Sequence, residues 1–139
     1  LLTRVDRKYV VAADRLAAIA SSVAVPVRCL DIECTRSFTY RSTYFDTPEL
    51  TSYHQAARRR PCRFKVRTRR YVATGSCWIE AKRRDRLGRT VKERIAHDPR
   101  CETELTAAAR AFLSRFDAIG AHVGALWPTL TTTYDRTTL

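Results

Sequence analysis

Basic residues occupy every second position from residue 63 to residue 69. Because alternate side chains of a β-strand point to the same face, these cations are predicted to line one face of a strand. They are Arg63, Lys65, Arg67 and Arg69. Guanidinium and ammonium groups in such a row supply the positive charge and the hydrogen-bond donors that phosphate groups need.

The next two segments extend this pattern. Cys77–Arg83 and Arg89–Ile95 are predicted strands, and short turns would join them to residues 63–71 in an antiparallel meander. Alternation places seven cations and one acid on the same side of this meander, a net charge of +6 out of the chain's +12. We name this side the basic face: Arg63, Lys65, Arg67, Arg69, Trp78, Glu80, Lys82, Lys92 and Arg94.

Two interpretations of the basic face are open. One is a solvated surface of an ordinary amphipathic sheet. The other is a binding site for a polyanion, which the nearly uniform sign favours because like charges on neighbouring strands destabilise a sheet unless an anion neutralises them. Alternation alone does not decide whether the face is a flat platform or the lining of a closed barrel.

The residue types on the face favour phosphate chains over nucleic acid. Trp78 is the only aromatic residue assigned to it, whereas single-strand binders place several stacking groups among their cations. The sequence has no zinc-finger, KH or RNP motif and no glycine-rich phosphate loop. Side chains would therefore bind the phosphates, and a specific nucleic-acid partner is not expected.

The predicted elements give an α+β fold dominated by antiparallel strands. Helices over residues 15–24, with Asp14 as cap, and over residues 50–57, with Thr47 as cap, join an amphipathic helix over residues 102–119. This last helix is expected to cover the apolar side of the meander: Phe64, Val66, Ile79, Ala81, Val91 and Ile95. The further predicted strands are residues 4–11, 27–32, 38–45 and 129–139.

Composition narrows the classes of protein. A chain of 139 residues with 45% hydrophobic residues is predicted to form a single globular domain over residues 1–139. No apolar run is long enough for a transmembrane segment. Five cysteines without a CxxC pair argue against disulfides and zinc, and a cytoplasmic location is expected. Methionine is absent, which indicates a piece of a longer protein.

Five blocks in order resemble the VTC domain, the polyphosphate polymerase domain of the triphosphate tunnel metalloenzyme superfamily. They are RVDRKYVV, YRSTYFDTPELTSYH, RFKVRTRRY, CWIEAKRRDRLGRTVKERI and PTLTTTYDRTTL. The resemblance implies an antiparallel sheet that forms part of a β-barrel tunnel, with helices packed outside. It also implies further tunnel strands after Leu139, so the domain is expected to be incomplete at its C-terminus.

The resemblance also implies a function and a set of site residues. VTC-type enzymes transfer the γ-phosphate of ATP to a growing inorganic polyphosphate chain with Mn²⁺ or Mg²⁺, so this chain is expected to be polyphosphate:ADP phosphotransferase-like, with ATP and polyphosphate as partners. Two alternatives stay open: a non-catalytic polyphosphate-binding module and, behind it, a nucleic-acid binder. The family's basic residues match Lys8, Arg67, Arg69, Lys82, Lys92 and Arg136, to which alternation adds Lys65 and Arg94.

The chain differs from other members of the superfamily in the acidic residues of its first predicted strand. CYTH-type members carry an ExExK motif on the first strand, where this chain has Arg4, Asp6 and Lys8, which favours the VTC branch. The resemblance places the metal-binding acid after Leu139, which leaves open whether this chain is active alone. Glu80 is the only acid of the basic face, either a metal ligand or an ion-pair partner of Lys82 or Arg67.

Overall fold

The sheet of this protein occupies one of two structural units. A computed structural model describes residues 8–139. The first unit comprises the chain up to Arg36 together with Thr137–Leu139, and the second is Ser37–Arg136. No helix within residues 8–139 has both the length and the apolar composition to cross a membrane.

The first unit holds one short helix and no strand among its described residues. A 3₁₀ turn, Ala13–Arg15, leads into α1, Leu16–Ser22, and Asp14 lies in that turn without capping it. The predicted strand over residues 27–32 is wrong: this region contains only an isolated bridge between Ile32 and Thr35, because its β-branched residues lack a partner strand. Of the strand predicted over residues 4–11, residues 4–7 lie outside the described part and residues 8–11 form no strand.

The second unit is built on a five-stranded antiparallel sheet. Its strands are β1 Phe38–Asp46, β2 Phe64–Tyr71, β3 Cys77–Arg84, β4 Thr90–His97 and β5 Trp127–Arg136. Their order is β4-β3-β2-β1-β5, so the predicted β2–β3–β4 meander is confirmed, and β5 pairs with β1. The α+β class is confirmed. The sheet of residues 37–136 is open and does not close into a barrel.

Strand register determines which residues share the basic face. Arg67 lies opposite Glu80 on β3 and opposite Tyr44 on β1. Lys82 lies between Lys65 and Lys92 in one row. Pairing along β1 and β5 extends the same face by eight residues: Phe38, Tyr40, Ser42, Tyr44, Leu130, Thr132, Tyr134 and Arg136.

Helices cover the opposite face of the sheet, as the apolar pattern predicted, except at Val91, which is exposed near the start of the edge strand β4. The core joins sheet and helix residues: Phe45, Phe64, Val66, Ile79, Ala81, Leu105, Ala109, Phe112, Leu113, Phe116, Ile119 and Leu126. The continuous helix predicted over residues 102–119 is wrong, since α3 spans Ala107–Ser114 and α4 spans Asp117–Gly120. Thr106 caps α3 by accepting a hydrogen bond from the Ala109 amide, and Phe116 between the helices is extended.

A buried aspartate holds the start of α2, Thr51–Ala57. The helix predicted over residues 50–57 agrees with α2 to within one residue, and Thr47, predicted as its cap, accepts a hydrogen bond at Oγ1 from the Thr51 amide at 3.2 Å, although Leu50 is at the N-cap position. Asp46, at the end of β1, accepts hydrogen bonds from the amides of Thr47, Ser52 and Tyr53 and from the Ser52 hydroxyl, all within 2.9 Å. One carboxylate thus satisfies three amides and fixes the helix to the sheet.

Replacing Asp46 with Ala is expected to lower the free energy of unfolding by about 2–3 kcal/mol, because buried amide donors lose their acceptor. Urea unfolding followed by circular dichroism measures this. Asp14→Ala is the matched control, since Asp14 is exposed and makes no capping bond, and its effect is expected within about 0.5 kcal/mol. Equal losses in the two variants would contradict the role given to Asp46.

Candidate functional site

Arg67 lies at the centre of the basic face, where Glu80 and Tyr44 contact its guanidinium group. Its Nε and Nη2 atoms are each 2.8 Å from Oε2 of Glu80. Its Nη1 donates to the Tyr44 hydroxyl at 3.1 Å, and its guanidinium carbon lies 5.7 Å from the centre of the Tyr44 ring. These contacts fix the plane of the guanidinium group, and the Arg67 side chain as a whole is 24% exposed.

Glu80 is a buried carboxylate shared by two cations. Its side chain is 1% exposed, and Oε1 lies 2.6 Å from Nζ of Lys92 while Oε2 binds Arg67. Burial by itself would raise the pKa of Glu80, but the hydrogen bond from Lys92 and the charge of Arg67 outweigh it and hold the pKa below its ordinary value. The ion-pair interpretation of Glu80 is therefore what the structure shows, with Arg67 and Lys92 as partners.

Arg69 is a nearly buried cation surrounded by neutral partners. It is 8% exposed. Its Nη2 donates to the Tyr134 hydroxyl at 2.9 Å, its Nε lies 3.4 Å from Oγ of Ser42, and it stacks over the Tyr40 ring at 5.3 Å. Within residues 8–139 no carboxylate forms an ion pair with it. The charge of Arg69 helps to lower the pKa of Glu80, but the direct ion pairs of that carboxylate are with Arg67 and Lys92. Because a buried charge without a direct counter-ion is costly, this position favours a bound anion.

The remaining cations predicted for the face are exposed. Lys65, Lys82 and Lys92 form one row across β2, β3 and β4. Arg94 stacks on Trp78 at 4.4 Å. Arg136 lies at the end of β5 opposite Phe38, on the same face.

Seven of the eight predicted phosphate-binding residues therefore share one face of the sheet. The eighth, Lys8, belongs to the first unit, where it is exposed and outside any strand. Its role stays a prediction.

Sequence reasoning missed most of the aromatic residues on this face. Tyr40 stacks on Tyr134 with ring centres 5.6 Å apart and meets Tyr71 edge-on at 5.0 Å. The count of Trp78 as the only aromatic was wrong, because it left out Tyr71 at the end of β2 and did not extend to β1 and β5. Alternation in β1 already placed Tyr40 and Tyr44 on one side of that strand, but only the pairing with β2 shows which side.

The acids of residues 8–139 do not fit a divalent metal ion. No group of three or more histidine, cysteine, aspartate or glutamate residues is arranged to hold one in this part of the chain. Both oxygens of Glu80, the weak metal candidate, already bind cations. Mn²⁺ or Mg²⁺ therefore stays a prediction from the family resemblance.

Together these features define an α+β domain with a strongly basic sheet face, in which tyrosines and one buried carboxylate position the cations. The family model described as the VTC domain matches residues 3–139. The chain therefore belongs to the VTC domain family, and the resemblance carried by its five sequence blocks is confirmed. A search of curated proteins finds no match.

The ionised form of Glu80 is expected to stabilise the fold. Its folded pKa lies below the ordinary value of 4.5, so its contribution is complete well above that pH and is lost as the pH falls through the folded pKa. Glu80→Gln is expected to cost about 1–3 kcal/mol at neutral pH, since Arg67 and Lys92 lose their shared partner. Urea unfolding of both proteins across a pH series measures the difference, which should narrow in acid.

A difference that stays constant from neutral to acid pH would show that the charge of Glu80 is not what stabilises the protein. Glu104→Gln is a suitable control, because Glu104 is exposed and its side chain forms no ion pair within the described residues. Its effect should be small at every pH.

Proposed function

We propose that this domain binds ATP and inorganic polyphosphate on the basic face and transfers the γ-phosphate of ATP to the polyphosphate chain. Membership of the VTC family supports a polyphosphate-related function. The observation that carries the proposal is Arg69, 8% exposed and paired only with neutral groups among residues 8–139. A phosphate oxygen would supply the direct ion-pair partner that this guanidinium group lacks among the described residues.

The proposed reaction needs electrostatics and positioning rather than a covalent nucleophile. A terminal oxygen of the polyphosphate attacks the γ-phosphorus of ATP, the bond from that phosphorus to the β,γ-bridging oxygen breaks, and ADP leaves with the bond electrons. Negative charge spreads over the phosphoryl oxygens during transfer. Arg67 and Arg69 would hold these oxygens, while Lys82 and Lys92 would neutralise the neighbouring phosphates.

Two further parts of the proposal come from the family resemblance. In the tunnel arrangement, the open sheet of residues 37–136 would form part of the wall, with the basic face turned inward. A divalent ion, when bound, would neutralise phosphate charge, and its ligands would come from residues other than the described acids.

The double variant Arg67→Ala/Arg69→Ala is expected to bind polyphosphate at least about 100-fold more weakly, because each of the two lost charge-assisted contacts costs about 1.5–3 kcal/mol. Fluorescence anisotropy with labelled polyphosphate measures the affinity. Arg58→Ala/Arg59→Ala removes the same charge from exposed positions beyond α2 and should change the affinity far less. Equal losses would mean that only net charge matters.

The enzyme proposal has its own test. The full-length protein that contains this domain, incubated with ATP and Mn²⁺ or Mg²⁺, is expected to form polyphosphate and to release one ADP for each phosphate added. Production of neither would overturn the transferase function, while polyphosphate binding by the face could still be measured.

A non-catalytic polyphosphate-binding module is the second candidate. The observation in its favour is Glu80, which is fully engaged by Arg67 and Lys92. In that case short polyphosphate would displace the bound chain, and ATP with metal would neither displace it nor extend it.

A nucleic-acid binder is the third candidate, and the tyrosines of β1 and β5 are the observation in its favour. It requires tighter binding to single-stranded RNA than to polyphosphate of equal charge. Titrations of both ligands over a range of salt concentrations compare the two, because both affinities fall as salt rises.

A further inference from the structure

A basic pocket lies at the end of the basic face where β3 turns into β4. Its volume is about 370 Å³. Two cross-strand pairs contribute to its lining: Lys65 on β2 with Lys82 on β3, and Arg84 on β3 with Thr90 on β4. The residues that line it include no acid: Ala56, Arg63, Phe64, Lys65, Lys82, Arg83, Arg84 and Thr90.

Backbone contacts hold the two arginines at the mouth of this pocket. The Arg84 amide donates to the Arg63 carbonyl at 2.9 Å, which brings the residues side by side. Arg63 donates from Nη1 to the Arg60 carbonyl at 2.9 Å, and Arg84 donates from Nε to the Gly88 carbonyl at 3.1 Å. Neither forms an ion pair in the part of the chain that the structure describes, and the same holds for Lys65.

The β3–β4 turn fixes Arg84 more closely. Gly88 has φ +77°, and a Cβ atom there would lie 3.3 Å from Nη2 of Arg84. The Asp85 carboxylate accepts a hydrogen bond from the Arg89 amide at 2.8 Å and closes the turn. The guanidinium group is therefore packed against the turn rather than extended freely into solvent.

The lining of the pocket distinguishes its ligand from a nucleotide base. Phe64 is the only aromatic residue in it, and its ring is 1% exposed and stacks on His122 on the core side. Trp78 lies four positions from Lys82 along β3, and Tyr71 lies six positions from Lys65 along β2. Tyr44, opposite Arg67, is closer, but it lines a neighbouring cavity and not this pocket. Cations and a hydroxyl group without a stacking surface match inorganic phosphate groups.

We propose that Arg63, Lys65 and Arg84 form a second subsite, which binds phosphate groups of an inorganic polyphosphate chain beyond those held by Arg67 and Arg69. This proposal rests on the proposed function, because it assumes that a phosphate chain lies along the basic face. ATP, with three phosphates, occupies the Arg67–Arg69 region and gains little from the pocket. A long chain reaches both regions at once, so its affinity exceeds that of a short ligand.

The double variant Arg63→Gln/Arg84→Gln tests the subsite. Calorimetric titration of the protein with long-chain sodium polyphosphate and, separately, with ATP gives both affinities. The polyphosphate affinity is expected to fall about tenfold more than the ATP affinity does. Arg58→Gln/Arg59→Gln is the control of equal charge, and thermal unfolding checks that the variants are folded. If the double variant is unstable, the two single variants are measured instead.

Each outcome bears on the subsite separately from the proposed function. Polyphosphate affinity equal to that of the Arg58/Arg59 control would overturn the subsite, as would equal losses for ATP and polyphosphate. The Arg67→Ala/Arg69→Ala variant distinguishes a failure of the subsite from a failure of the proposed function. If that variant binds polyphosphate like the unmodified protein while Arg63→Gln/Arg84→Gln binds it weakly, the proposed role of Arg67 and Arg69 fails, and the pocket is a phosphate site by itself rather than a second subsite.

Discussion

The carboxylate of Glu80 makes it possible for this sheet to gather so many cations on one face. It is 1% exposed and bridges Arg67 on β2 and Lys92 on β4, so one buried negative charge ties three neighbouring strands together. Without it, the row of like charges would repel across the strands. The bridge also leaves the face strongly positive, because one acid cannot balance the cations around it.

The division of the sheet into a charged face and an apolar face makes this arrangement rigid. Phe64 and Val66 alternate with Lys65 and Arg67, so the side chains that pack against α3 also hold the cations in register. Tyr44 adds a hydroxyl contact to Arg67, which Glu80 already holds, whereas Arg69 is oriented by the uncharged hydroxyl groups of Tyr134 and Ser42. Orientation by neutral groups preserves the attraction of Arg69 for phosphate, which a directly bound carboxylate would weaken.

Much of this site could be predicted from the local residue pattern, and each wrong prediction has an identifiable physical reason. Alternation placed Lys65, Arg67 and Arg69 on one face because the side-chain period of a strand is fixed. Residues 27–32 have the composition of a strand but no partner, and the Asp46 cap was missed because its hydrogen bonds reach residues six and seven positions ahead. The helix over residues 102–119 was predicted too long because an apolar period does not reveal the extended Phe116.

The sequence by itself determined the charged and apolar faces of the β2–β4 meander, the α+β class and the VTC family, because each follows from residue order or from short blocks. Tertiary structure alone decided that β1 and β5 complete the face, that Glu80 joins Arg67 to Lys92, and that Arg69 is buried among neutral groups. Strand order and register bring together residues far apart in the chain, such as Arg69 and Tyr134. These pairings depend on how the whole sheet packs, which no local pattern encodes.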